Sequence, residues 1–150
     1  MAREEVYVNM MIDTLERKKV ILEQILHQTK EQEILLKDEE MDMDAFQTII
    51  DRKGEEIEKL NQMDEGFDTL FHHVEKEINE NRMAYKSQIQ KMQKLINEVS
   101  ELGIQIQALE HQNSGHFKVY LANQKQAVKK FHTNNRTAAN IQNMANVHKP

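Results

Sequence analysis

The stretch that decides the fold runs from residue 44 to residue 78 and reads DAFQTIIDRKGEEIEKLNQMDEGFDTLFHHVEKEI. Ten positions along it recur at alternating intervals of four and three residues, and eight of the ten are apolar. They are Phe46, Ile50, Lys53, Ile57, Leu60, Asp64, Phe67, Phe71, Val74 and Ile78. This spacing puts all ten on one helix face and is typical of a coiled-coil seam. The stretch therefore predicts an amphipathic helix over residues 44–78, with Asp44 as its N-cap.

The same spacing continues on both sides of this stretch. Upstream, apolar positions from Val8 to Leu36 predict a helix over about residues 5–37. Downstream, positions from Tyr85 to Phe131 predict a third helix over about residues 82–132. Short polar segments separate the three. The predicted fold is all-α, an elongated antiparallel bundle or coiled coil of three long helices.

The composition agrees with a helical protein that forms one domain. Glycine occurs four times and proline once, as Pro150, and both residues disfavour helix interiors. A chain of 150 residues is enough for one core. We expect a single helical domain over residues 1–132. Residues 133–150 are rich in Asn and Ala, and we expect them to form a flexible C-terminal tail.

The third helix is longer than the other two. As an unbroken helix it would span roughly 75 Å, against roughly 50 Å for each of the others, at a rise of about 1.5 Å per residue. It therefore either overhangs the bundle or breaks near Asn113-Ser114-Gly115 and folds back.

An overhang would leave apolar side chains without an intramolecular partner. These are Phe117, Tyr120, Leu121, Val128 and Phe131. Unpaired apolar surface of this extent usually marks a binding site. The same residues would equally be buried by a folded-back segment or by a homodimer, in which case the chain would be a homo-oligomeric coiled-coil scaffold.

Charge is distributed unevenly along the chain. Residues 31–70 contain fourteen acidic and four basic residues, whereas residues 111–150 contain six basic residues and no acidic one. The basic residues are spread out, and a phosphate-binding surface usually shows a denser patch. We therefore expect protein partners and no nucleic acid.

The sequence offers no candidate catalytic residues, and we expect a binding protein that is not an enzyme. It contains no Gly-rich phosphate loop and no nucleophile elbow. His73 and Glu77 are one helical turn apart, but nothing nearby completes a zinc site. Cysteine is absent. We expect no cofactor and no metal.

The location is expected to be cytoplasmic. The N-terminus turns acidic at Glu4 and Glu5 with no apolar run after it, and no stretch approaches the roughly 20 apolar residues that cross a bilayer. We therefore expect neither a secretion signal nor membrane insertion.

The start of the second helix carries a more specific pattern, an acidic residue followed by aliphatics and a lysine at heptad spacing. It consists of Asp42, Phe46, Ile49-Ile50, Lys53, Ile57 and Leu60. The preceding helix contributes Leu22, Ile25-Leu26, Gln32-Glu33 and Leu35-Leu36. In these features the chain resembles the flagellar type III export chaperones of the FlgN family and, more distantly, those of the FliT kind. The resemblance covers residues 8–110 as a pattern.

The resemblance implies a chaperone of bacterial flagellum assembly. FlgN-like chaperones bind hook–filament junction proteins in the cytosol before type III secretion, and FliT-like ones bind the filament cap protein. In that family the C-terminal helical region grips an amphipathic terminal helix of the substrate. Carried onto this chain, the partner-binding residues would be Phe117, Tyr120, Leu121, Gln124, Val128 and Phe131.

Overall fold

Three long helices make up the protein. The computed structural model describes the backbone of residues 3–141 and the side chains of residues 3–129. The helices are α1 (Arg3–Leu36), α2 (Met43–Glu80) and α3 (Lys86–Ile141), with no strand among the described residues. The predicted all-α bundle of three long helices is confirmed.

The start of α2 lies slightly earlier than predicted. Asp42, and not Asp44, is the N-cap, because its carboxylate accepts a hydrogen bond of 3.0 Å from the backbone N–H of Ala45. Met41, immediately before this cap, is buried, so the charged connection between α1 and α2 is anchored by one apolar side chain. The helix then runs without interruption through Gly54 and Gly66 to Glu80.

Both ends of α3 differ from the prediction. Residues 81–85 form a turn, in which the N–H of Tyr85 donates to the carbonyl of Arg82, so α3 begins at Lys86 and not at 82. At the other end the backbone stays helical to Ile141, nine residues beyond the predicted boundary at 132, and residues 142–150 of the predicted tail lie outside the described residues. α3 also passes through Asn113-Ser114-Gly115 unbroken, so the helix overhangs and does not fold back there.

The core is best formed where the N-terminus of α1, the C-terminus of α2 and the N-terminus of α3 meet. Large apolar side chains from all three helices and from the turn before α3 are buried there: Val8, Met11, Ile12, Leu15, Val74, Ile78, Tyr85, Met92 and Leu95. We call this region the closed end. Val8 and Val74 are fully buried, which shows how tightly α1 and α2 pack at this end.

Two ion pairs between helices lie on the outside of the bundle. Lys18 on α1 contacts Asp64 on α2 at 2.6 Å, and Lys19 on α1 contacts Glu98 on α3 at 2.5 Å. The hydrogen bond between Lys19 and Glu98 raises the pKa of the lysine and lowers that of the carboxylate. Exposed pairs of this kind contribute little to stability but favour one register of the helices.

Candidate partner-binding groove

The three helices do not pack equally against one another. α1 contacts both other helices, whereas among the described residues no Cα atom of α2 comes within 8 Å of a Cα atom of α3. Two helices that pack on a common third one and stay apart from each other occupy three corners of a square four-helix arrangement. The inner faces of α2 and α3 therefore border a groove with α1 as its floor.

The groove has a volume of about 690 Å³ and lies in the half of the bundle nearest the α1–α2 connection, which we call the open end. Most of its wall is apolar and comes from all three helices. The apolar lining residues are Leu22, Ile25, Phe46, Ile50, Ile57, Leu60, Ile106 and Phe117. Ile50 and Ile57 occupy seam positions, yet they are 42% and 47% exposed. Exposed isoleucines at seam positions indicate a surface on which a further helix can pack.

Two glycines lie in the groove walls, Gly54 on α2 and Gly103 on α3. A Cβ atom added to either would meet no other atom within 4 Å, so the backbone of both walls is open to close approach. Gly66 and Gly115 also have open space around them, but they are not part of the groove lining. These two glycines provide matched control positions on the same helices.

A cluster of five polar residues crosses the groove and connects all three helices. We call it the polar layer, and it consists of Thr29, Gln32, Lys53, Glu110 and Asn113. The ammonium of Lys53 donates to Gln32 Oε1 at 2.7 Å and to Glu110 Oε1. Asn113 Nδ2 donates to the backbone carbonyl of Thr29 at 2.9 Å. Side chains, and not backbone contact, therefore link α2 to α3 at the open end.

Two groups of the polar layer lack full compensation for their burial. Asn113 is buried, and its Oδ1 atom has no hydrogen-bond partner among the described residues. Burial also lowers the pKa of Lys53 to about 8. A buried acceptor without a donor and a desolvated ammonium both destabilise a structure. The polar layer is thus a place where an incoming polar side chain would be favourable.

The residues predicted to bind a partner fall into two groups. Phe117 lines the groove and stacks on Phe46, with ring centroids 5.1 Å apart and ring planes within 8° of each other. Tyr120 stacks in turn on Phe117 at 6.3 Å and borders a cleft beside the α1–α2 connection. The expectation that Phe117 lacks an intramolecular partner is therefore wrong, because the start of α2 reaches it.

The second group lies farther along α3. Gln124 borders the same cleft as Tyr120 but is exposed, while Leu121 and Val128 are 48% and 54% exposed. Every described side chain from residue 121 to residue 129 is exposed. The side chain of Phe131 lies outside the described residues. We refer to the part of α3 from residue 121 to residue 141 as the α3 extension.

Histidine, aspartate and glutamate side chains are numerous among the described residues. No group of three or more His, Asp or Glu side chains there could hold a metal ion. His73 instead lies beside the ring of Tyr7, at 5.5 Å between ring centroids. No helix in the described part of the chain is long and apolar enough to cross a membrane.

No known protein family, characterised protein or solved structure matches the chain.

Sequence reasoning missed most of the groove. The heptad spacing predicts that Ile50 and Ile57 are buried in the bundle, whereas both line the groove, and it predicts no role for Gly54 or Gly103. The two glycines were an available signal. Glycine in a helix interior weakens the helix, so glycine on the seam side of two different helices indicates that another helix approaches their backbones closely.

Proposed function

We propose that this protein is a binding protein, and not an enzyme, that holds an amphipathic helix of a protein partner in the groove between α2 and α3. The observation that carries the proposal is the separation of α2 from α3 while both pack on α1. A fourth helix in the groove would bury Ile50 and Ile57 and complete a four-helix arrangement. Recognition of this kind relies on apolar anchors at a spacing of three and four residues on the bound helix.

The dimensions of the groove suit a helix. It extends from Gly103 to Phe117 along α3, which corresponds to about 21 Å at about 1.5 Å per residue. That length accommodates about four helical turns, each of about 5.4 Å. The polar layer lies within this length, and a polar position among apolar ones favours one register of a bound helix.

We further propose that the partner is a late flagellar export substrate and that the protein is its cytoplasmic chaperone before type III secretion. The support is the resemblance of residues 8–110 to the FlgN family, together with a groove of the right shape for a terminal helix. Hook–filament junction proteins are the first expected clients, and the filament cap protein is the second. In this proposal the groove is the primary contact, and only Phe117 of the six residues first considered lines it.

The test is a binding measurement with matched glycine variants. The protein would be run on size-exclusion chromatography with light scattering, with and without the terminal helices of hook–filament junction and cap proteins from the same genome. Gly54→Leu fills the groove from α2 and should lower affinity at least about tenfold, since a leucine of about four carbons then occupies the space of the bound helix.

Gly66→Leu provides the matched control, because Gly66 lies on the same helix, has the same open surroundings and does not line the groove. It should bind the client helix like the parent protein. Equal loss of binding in both variants would contradict the groove as the site. Absence of binding to every such helix would contradict the chaperone proposal, and a scaffold without clients would then be the better interpretation.

A further inference from the structure

We propose that, in the absence of a client, a second copy of this chain occupies the groove. The α3 extension of one protomer would lie antiparallel to α3 of its partner and against the partner's α2, and the reverse contact would form at the same time. The result is a two-fold symmetric dimer in which each groove is completed by an element of the other chain. Such a reciprocal interface is closed and stops at two copies.

The first argument is that the groove and the α3 extension share one face of one helix. Along α3, the groove residues and the exposed apolar residues of the extension follow each other at steps of three or four. The series is Gly103, Ile106, Glu110, Asn113, Phe117, Leu121, Gln124 and Val128. Because these steps keep residues on one helix face, a helix that packs along the groove continues directly onto the extension.

The second argument is that one antiparallel register places the extension of each copy in the groove of the other. The groove on α3 is centred near residue 110, and Val128 is an exposed apolar residue on the same face of the extension. A two-fold axis near residue 119 places residue 110 of each chain beside residue 128 of the other. The extension of 21 residues is about 31 Å long, which covers the groove length of about 21 Å.

The third argument is charge. α2 contains eleven acidic and four basic residues, a net charge of −7. The α3 extension contains four basic residues and no acidic one. In the dimer the basic extension of each chain lies against the acidic α2 of the other. Opposite net charges of this size favour that encounter over a contact between two α2 helices, which would repel each other.

The fourth argument is the polar layer. Near the middle of the groove, Asn113 Oδ1 is a buried acceptor without a donor. The antiparallel register brings the partner's Gln124 close to this layer, between its apolar neighbours Leu121 and Val128. An amide side chain supplies N–H donors, and a polar position that matches a polar layer fixes the register of packed helices.

The dimer would also regulate the site, a consequence that rests on the proposed function. The α3 extension and a client helix would compete for the same groove, so client binding would separate the two copies. Free protein would then expose no open apolar groove, which reduces nonspecific association.

The first experiment measures the mass of the full chain in solution. Light scattering at concentrations from 1 to 100 μM, a range of about 100-fold, should give a mass approaching twice 17.7 kDa. The double variant Leu121→Asp with Val128→Asp should weaken association at least about 100-fold, because two half-exposed apolar side chains of the interface become charged. A parent protein that stays at 17.7 kDa throughout would overturn the proposal.

The second experiment tests the register by disulfide formation, which is straightforward because the chain has no cysteine. A chain with Ser114→Cys and Gln124→Cys has its two thiols ten residues apart on one helix, about 15 Å, too far for a disulfide within the chain. The antiparallel register should give a covalent dimer on mild oxidation. Ser114→Cys with Ala122→Cys is the control, since Ala122 points away from the shared face. Equal cross-linking of both would overturn the register.

Client binding separates this proposal from the proposed function. The variant with Leu121→Asp and Val128→Asp should be monomeric with an unaltered groove, because neither side chain lines the groove. Gly54→Leu should lose both the dimer and client binding. A monomeric parent protein that binds clients would overturn the dimer alone, whereas a dimer disrupted by Gly54→Leu without any client binding would contradict the chaperone proposal alone.

Discussion

The closed end and the open end of the bundle are made from the same three helices with the same heptad spacing, yet they differ in packing. At the closed end, Val74 and Ile78 on α2 are buried in a core shared with α1 and α3. At the open end, Ile50 and Ile57 on the same helix are 42% and 47% exposed. At Val74 and Ile78 the seam of α2 is therefore part of the folded core, whereas at Ile50 and Ile57 it leaves apolar surface open in the groove.

The difference lies in which side chains α1 and α3 present to that seam. At the closed end they offer Leu15, Met92 and Leu95, which are large and apolar. At the open end they offer Gln32, Glu110 and Asn113, which are polar and hydrogen-bonded across the gap. α2 and α3 stay apart along their whole described length, so the two ends differ in what fills the space between them. Large apolar side chains fill it at the closed end, and hydrogen-bonded polar side chains cross it at the open end.

The strongest test of this comparison is one substitution made at both ends of α2. Ile78→Ala removes a side chain that is 9% exposed and should lower the free energy of unfolding by about 2–4 kcal/mol through the cavity it leaves. Ile57→Ala removes one that is 47% exposed and should cost less than about 1 kcal/mol. Urea unfolding followed by circular dichroism measures both. Equal costs would mean that the open end is packed as tightly as the closed end in solution.

Loss of Glu110 and loss of Lys53 from the polar layer should lower the free energy of unfolding by different amounts. Glu110→Leu removes an acceptor from Lys53, whose side chain is 9% exposed, and should cost about 1–3 kcal/mol because a buried ammonium loses a partner. Lys53→Met leaves Glu110, which is 43% exposed, in contact with water and should cost less than about 1 kcal/mol.

Urea unfolding of the two single variants and the double variant provides the check. The double variant should be more stable than the sum of the single effects predicts, because the buried charge is gone. Strict additivity would indicate that Lys53 and Glu110 do not interact.

Stability should depend on pH through Lys53. Its pKa is about 8 in the folded protein against 10.5 for an ordinary lysine, so between these values the unfolded chain binds more protons. Stability should therefore rise with pH from 8 upward, by about 1–2 kcal/mol up to pH 9.5. Urea midpoints across this range measure the slope. The Lys53→Met variant lacks the group and should show a flatter curve; the same slope in both would assign the effect to another residue.

The sequence pattern predicts the helices well but not what each helix face contacts. The alternation that marks Val74 and Ile78 as core marks Ile50 and Ile57 in the same way, although only the first two are buried. The spacing identifies a face of a helix. Whether another helix covers that face depends on side chains far away in the sequence, so it is not encoded in the local period.

Two polar seam residues also show that the heptad spacing does not predict what a helix face contacts. Lys53 and Asp64 interrupt one heptad pattern, yet Lys53 is buried in the polar layer while Asp64 is exposed and paired with Lys18. The C-terminal boundary of α3 was missed for a different reason. No proline or glycine follows Gly115 before Pro150, and extending an existing helix costs far less than starting one, so the weak apolar pattern after residue 132 does not end the helix.

Substitutions of the two α2 glycines should have the smallest effect on stability, and only one of them should affect binding at the groove. Gly54→Ala and Gly66→Ala should each raise the free energy of unfolding by about 0.5–1 kcal/mol, because both lie within α2 and an added Cβ meets no atom within 4 Å. A shift of the urea midpoint without a change in slope would show this.

The two glycine positions should differ only in their effect on binding, since Gly54 lines the groove and Gly66 does not. If glycine at position 54 is kept for close approach of a helix, Gly54→Ala should stabilise the fold and still weaken association at the groove, whereas Gly66→Ala should stabilise the fold alone. Stabilisation without any loss of binding at position 54 would mean that the docked helix approaches less closely than the open backbone permits.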